Sequence, residues 1–148
     1  MMDRWNTCLH ESAHSVARQL LLGDLHETGV MRRGNSYSYP VERKPFDEMS
    51  RERLGKTAVV VAAGMVAEEL CSDVGMKDRA GTRDRRQWEA IQQVGGFSDE
   101  ETGIFLAKAT EIVGGYAKVI RRAAIELDRR NKLTGELVSR LIESTGTT

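Results

Sequence analysis

Two cysteines, two prolines, 5% aromatic residues and three histidines are all that this chain of 148 residues carries of its scarcer side chains. Each shortage excludes something. Cys8 and Cys71 make no C-x-x-C pair and are too few for a disulfide framework, so a reducing, cytoplasmic setting is expected. Pro40 and Pro45 lie close together, leaving the rest of the chain free of the strongest helix breaker. No charge of one sign dominates: 22 Lys and Arg balance 22 Asp and Glu. That balance argues against nucleic acid or an anionic membrane surface as partner. The longest apolar stretch, Thr57 to Ala67, is about half of the roughly 20 residues a bilayer span requires. It reads as a buried helix, with no membrane span. No secretory signal is expected either, since Met1-Met2-Asp3-Arg4 leads directly into a polar, histidine-bearing segment.

At 40% hydrophobic, the chain has enough apolar side chain to bury the core of one domain, residues 1–148. Few aromatics and many Ala and Arg favour helix. Trp5 to Leu22 predicts a first helix stopped at Gly23, with Leu9, Ala13, Val16, Ala17 and Leu20 on its buried face. Thr28–Met31 and Ser36–Tyr39 read as short strands about an Arg-Arg-Gly-Asn turn, a small β-hairpin or edge strand near residues 27–41. Asp47 or Ser50 is placed to cap a long second helix ending near Cys71, apolar all round from Ala58 to Ala67. A polar loop with Gly75 and Gly81 precedes a helix over Asp84–Val94. Ser98 with Glu101 forms a capping box opening a helix that runs towards Asn131, interrupted at Gly114-Gly115. Thr134 starts a short last helix through Ile142. The fold class is mainly α.

The most informative stretch is His10-Glu11-Ser12-Ala13-His14. Residues four apart share a helix face, so two imidazoles can grip one metal ion from a single turn. Glu11 points about a quarter-turn aside, where it reaches a water on such a metal rather than the metal itself. This is the H-E-x-x-H arrangement of zinc peptidases, and it makes Glu11 the candidate general base. A catalytic zinc takes three protein ligands and keeps one open position. The residues offer seven candidates for the third: His26, Cys71, Glu68, Glu69, Asp73, Asp78 and Asp84. Ala17 and Leu20 stand where a metzincin carries the glycine and histidine that follow its motif. His26 lies near the strand segment and reads as a loop histidine, and a thiolate such as Cys71 suits structural zinc better than hydrolytic zinc.

Six short pieces, in order, resemble the peptidase domain of the FtsH family of ATP-dependent zinc metalloproteases. His10-Glu11-Ser12-Ala13-His14-Ser15-Val16-Ala17 is similar to that family's HEAGHAVV stretch, and Met31-Arg32-Arg33-Gly34 to its PRG strand. Ala63-Gly64-Met65-Val66-Ala67-Glu68-Glu69-Leu70 resembles its GGRxAEE helix, and Gly81-Thr82-Arg83-Asp84 its TGAxND segment. Gly96-Phe97-Ser98-Asp99 looks like its GMS turn and Leu133-Thr134-Gly135-Glu136 like its LTGEE. There are departures. Ala13 replaces the motif glycine, Met65 replaces the arginine of GGR, and the segment before Asp84 is one residue tighter. The family's membrane segment and AAA+ ATPase module have no counterpart in the sequence.

The resemblance implies Zn²⁺ held by His10, His14 and Asp84, with Asp78 the fallback ligand. It implies that Glu68, with Glu69, orients a zinc-binding histidine from behind. It implies an extended substrate paired with the edge strand near Met31, Arg32, Arg33, Gly34 and Asn35. The expected activity is zinc-dependent endopeptidase, ATP-independent by itself, on unfolded protein or peptide substrates. A separate ATPase partner and a homo-oligomer are the expected associations, since the family's peptidase domains assemble as hexameric rings. A narrow-target regulatory protease and a non-proteolytic zinc-stabilised binding module are the alternatives. Two imidazoles and a carboxylate suit zinc, and also fit iron, cobalt or nickel.

Overall fold

Two helices made of small residues form the centre, and the other elements close around them. The computed structural model describes residues 3–31, 35–71 and 80–147. Helix α1 spans Arg4–Leu21, and the side chain of Asp3 caps it by accepting from the Asn6 amide at 2.7 Å. It ends where the Gly23 amide, at φ +62°, donates back to the Arg18 carbonyl at 3.0 Å. Only glycine adopts that left-handed conformation without cost. The expected single buried face is too modest: every residue from Thr7 to Ala17 is buried. Helix α2, Arg51–Cys71, is buried almost continuously from Leu54 to Gly64, as its uniform apolarity predicts. Of the two expected caps Ser50 performs the task, its hydroxyl accepting from the Arg53 amide at 3.1 Å, while Asp47 sits in a short 3₁₀ turn, Phe46–Glu48. Ala13 and Ala17 on α1, with Ala63, Gly64 and Ala67 on α2, keep both helices slim on the sides that carry His10 and His14 and that carry Val60 and Glu68.

The mainly helical class with a small sheet is as expected, but the sheet has three strands. β1 (Leu25–Val30) lies between β2 (Ser36–Pro40) and β3 (Lys132–Thr134), antiparallel to both. The β1–β2 hairpin pairs Gly29 with Tyr37, whose ring lies where a Cβ on Gly29 would stand. Met31 follows β1, and its amide donates to the Asn35 carbonyl at 2.7 Å. The third strand is short and preceded by Asn131 in the left-handed conformation (φ 67°), a local backbone choice with no alternating apolar pattern to announce it. A buried hydroxyl chain ties α1 to the sheet. Ser15 Oγ donates to the Glu11 carbonyl at 2.8 Å and meets Thr28 Oγ1 at 2.6 Å, and Thr28 Oγ1 meets Ser38 Oγ at 3.1 Å.

Helix α3 runs Ala80–Gly95, starting earlier than the expected Asp84. Ser98 and Glu101 complete the capping box of α4, Asp99–Gly115, and the expected interruption falls at Tyr116, before α5, Ala117–Arg130. Thr134 caps α6, Gly135–Thr145, through the Leu137 amide. The core gathers Leu9 and Val16 of α1, Ile120 and Leu127 of α5, Leu133 of β3 and Val138 of α6, all essentially inaccessible to water. Among the described residues no helix is long and apolar enough to cross a membrane.

Leu127 has no exposure and packs where α5 meets this core. Leu127→Ala is expected to cost about 2–5 kcal/mol by emptying a site that cannot collapse. Urea unfolding followed by circular dichroism measures it, and a loss below about 1 kcal/mol would show that the site collapses after all.

Candidate metal centre

α1 supplies the two imidazoles one turn apart, as the i, i+4 spacing requires. Each is then fixed from behind by α2. His14 Nδ1 donates to the Val60 carbonyl at 2.7 Å. His10 Nδ1 lies 2.6 Å from Glu68 Oε1, close but not well aligned, and neither atom has another partner. Gly64 lies between Val60 and Glu68 on the same stripe of α2, and the His14 ring occupies the space where its Cβ would be. α2 thus meets the histidines with a carbonyl, an absent side chain and a carboxylate, spaced four residues apart. With both Nδ1 atoms directed at oxygen acceptors, both Nε2 lone pairs point the other way.

They point at each other. His10 Nε2 and His14 Nε2 are 3.0 Å apart, and Asp84 Oδ2 of α3 lies 2.5 Å from the first and 3.1 Å from the second. His10, His14 and Asp84 each offer one ligand atom, all within 4.8 Å of one another. Asp84 is carried on an α3 stripe continued by half-buried Trp88 and buried Ile91, which hold that face inward. Glu11 stands beside the cluster, its Oε1 3.8 Å from His10 Nε2. The group is sheltered: His10 is 3% exposed, Glu68 3%, Asp84 7%, and Glu11 and His14 9% each.

Three carboxylates and two imidazoles in so dry a place make a strong hole for positive charge. Burial alone disfavours a charged His10, but the Asp84 and Glu68 carboxylates outweigh it and push its pKa up to about 10. For His14, too, burial opposes the proton and Asp84 overcomes it, a net upward shift. Asp84 would be raised by burial, yet the two histidines draw it well below the usual carboxylate range. Converging lone pairs tolerate this spacing only with a proton or a cation between them. Two imidazole nitrogens and a carboxylate oxygen, with a second carboxylate behind one imidazole, are a donor set that fits Zn²⁺.

The other expected site residues fall out differently. Glu69, expected to share the orienting task of Glu68, is exposed. One residue on an α-helix is a rotation of about 100°, which turns it off the Val60–Gly64–Glu68 stripe. His26 is exposed on β1 rather than in a loop, beside a register irregularity between Leu25 and Glu27. Met31 is 55% exposed at the end of β1. Arg32, Arg33 and Gly34, together with Asp73 and Asp78, lie outside the described residues, as does the side chain of Cys71. Sequence reasoning missed the Val60 carbonyl and Gly64. Only the four-residue rhythm leading to Glu68 carried a signal for them. No protein-family model matches the chain, and no curated protein matches it.

Two expectations follow from this geometry. Alanine at Gly64 favours helix in itself, yet its methyl group would displace the His14 ring. Gly64→Ala should therefore weaken zinc binding about 10- to 100-fold while leaving the helical circular dichroism spectrum intact. Unchanged affinity would show that the ring has room to move. The His10 proton stabilises the metal-free fold because its folded pKa, about 10, lies above the ordinary 6.5. That contribution is complete below about pH 6.5 and disappears as pH rises through about 10. The metal-free protein should thus melt at falling temperatures from pH 7 to 10, the zinc-loaded protein should not, and zinc titration at pH 7 should release protons. A flat metal-free profile and proton-neutral binding would contradict the assignment.

Proposed function

We propose that the chain is a zinc-dependent endopeptidase resembling the FtsH-type peptidase domain, acting on unfolded proteins or peptides. The observation that carries this reading is the convergence of His10 Nε2, His14 Nε2 and Asp84 Oδ2 with the Glu11 carboxylate alongside. His10, His14 and Asp84 would hold the metal. Zn²⁺, when bound, supplies a Lewis acid that lowers the pKa of water towards about 7 and polarises a peptide carbonyl. Glu11 is the residue that moves protons: its carboxylate takes one from the attacking water and returns it to the departing amine. The Glu68 carboxylate, 2.6 Å behind His10 Nδ1, would favour a proton on that nitrogen and so leave Nε2 available as a ligand atom. The shelter of the site keeps these charges strong, since water screens them little there.

By the resemblance, substrate would lie extended and pair through main chain with the edge strand near Met31 to Asn35, which gives a broad sequence preference. Folded substrates would require a separate ATPase partner. A reducing cytoplasm is the proposed setting. Glu11 beside the ligands favours hydrolysis over a zinc-stabilised binding module, because a purely structural centre has no use for a base at that place.

The test is cleavage of casein by the zinc-loaded protein and by Glu11→Gln. The variant should retain one zinc per chain and lose activity by about 100-fold or more. Full activity in Glu11→Gln would overturn the mechanism, and zinc binding without cleavage in either protein would favour the binding module.

A further inference from the structure

α5 breaks a rule that its neighbours keep. α4 opens on Asp99, Glu100 and Glu101 and α6 on Glu136, carboxylates at the end of a helix that favours negative charge. α5 has no acid in its first turn and no side-chain cap at Tyr116, and Lys118 stands there instead. Its outer face continues through Arg121, Arg122, Ile125 and Arg129, all exposed and within about 100° of the helix circumference. The opposite face, Val119, Ile120, Ala123, Ala124 and Leu127, is shut off from water.

The two acids of α5 stand on the flanks of this stripe, and both are taken. Glu126 pairs with Arg130 at 2.8 Å and Asp128 with Arg4 at 2.7 Å. Little is left for the stripe itself. Arg129 reaches Glu126 only at 3.9 Å, and Arg122 donates to the neutral Thr145 hydroxyl at 3.0 Å. Arg121 forms no ion pair among the described residues. Ile125, between the three guanidinium groups, is 46% exposed. A face built only for solubility pairs its charges along the helix, as Arg140 and Glu136 do on α6. Arginines around an exposed apolar side chain have the composition of a protein interface instead.

We propose that the Arg121–Arg129 face of α5 docks an acidic helical segment of a partner protein. Two helices side by side share one rise per residue. A carboxylate at i would therefore meet Arg121 or Arg122, an apolar side chain at i+4 would cover Ile125, and a carboxylate at i+8 would meet Arg129. Other anionic partners fit less well. The ion pairs of Glu126 and Asp128 bound the stripe on either side, so its field is one helix face wide, whereas a nucleic acid backbone follows a longer basic track. α5 carries no aromatic side chain on which a base could stack. Its apolar side is occupied by the core, which leaves none to enter a bilayer. The buried face packs towards α1, so an occupant of the stripe leaves the metal cluster untouched, and the proposal is independent of the peptidase reading.

The probe is an alanine-rich helical peptide with Glu, Leu and Glu at i, i+4 and i+8, titrated into the isotope-labelled full chain at low salt. Amide shifts should be saturable and confined to α5 and the adjoining start of α1, with a Kd below about 1 mM. Arg121→Gln combined with Arg129→Gln should raise that Kd roughly threefold to thirtyfold, with zinc content and helical spectrum at wild-type values. A peptide with both Glu replaced by Gln should lose affinity by a similar factor, and high salt should weaken the parent peptide. Absence of shifts on α5 would overturn the proposal, as would equal binding of the uncharged peptide or of the double variant. Tighter binding of a single-stranded oligonucleotide or of phosphatidylserine vesicles, lost in the same variant, would overturn it by giving the stripe to a polyanion.

Discussion

Everything around the site follows from one electrostatic constraint, the convergence of two imidazole lone pairs and a carboxylate oxygen in a place almost without water. Such an arrangement repels itself unless positive charge sits between the three atoms. In the metal-free protein protons provide it, and the pKa of both histidines is accordingly shifted up and that of Asp84 down. A divalent cation provides it better, because one ion meets all three atoms together. Metal binding and proton release are therefore two sides of one equilibrium.

The helix packing exists in the form that this constraint requires. Imidazoles on α1 can be backed by α2 only if the two helices approach closely, and alanine and glycine flank the contact on both. Gly64 shows the tolerance, since its missing side chain is the space the His14 ring fills. The Ser15–Thr28–Ser38 hydroxyl chain fixes the same turn of α1 to the sheet, so Glu11 is carried on a segment held from two sides. α3 then needs to contribute one group, and Asp84 arrives on its buried stripe above Ile91.

Much of this was legible in the chain, because short-range rules govern it. The spacing of His10 and His14 is a property of one helix turn, and Ser98 with Glu101 announces a cap with no help from the rest of the fold. The apolar centre of α2 likewise shows that the helix is buried. Long-range choices were harder. Choosing Asp84 among seven candidate ligands required the resemblance to a known motif order, since nothing local separates it from Asp78. Glu68 and Glu69 are adjacent and chemically alike, and on a helix buried on most sides no apolar stripe tells which one turns inward. The third strand, Lys132–Thr134, is too short to show a period and depends on pairing with β1. The roles of Val60 and Gly64 depend on a main-chain oxygen and an absent atom, neither of which leaves a mark in residue chemistry.

X-ray absorption at the zinc edge, on zinc-loaded protein, tests the proposed centre most directly. The account predicts nitrogen and oxygen donors at about 2.0–2.1 Å, the scattering signature of two imidazoles, and no sulfur shell at about 2.3 Å. In Asp84→Ala an oxygen donor should be replaced by solvent or the metal lost. A sulfur shell would move the third ligand to a cysteine, and a spectrum unchanged by Asp84→Ala would remove Asp84 from the centre altogether.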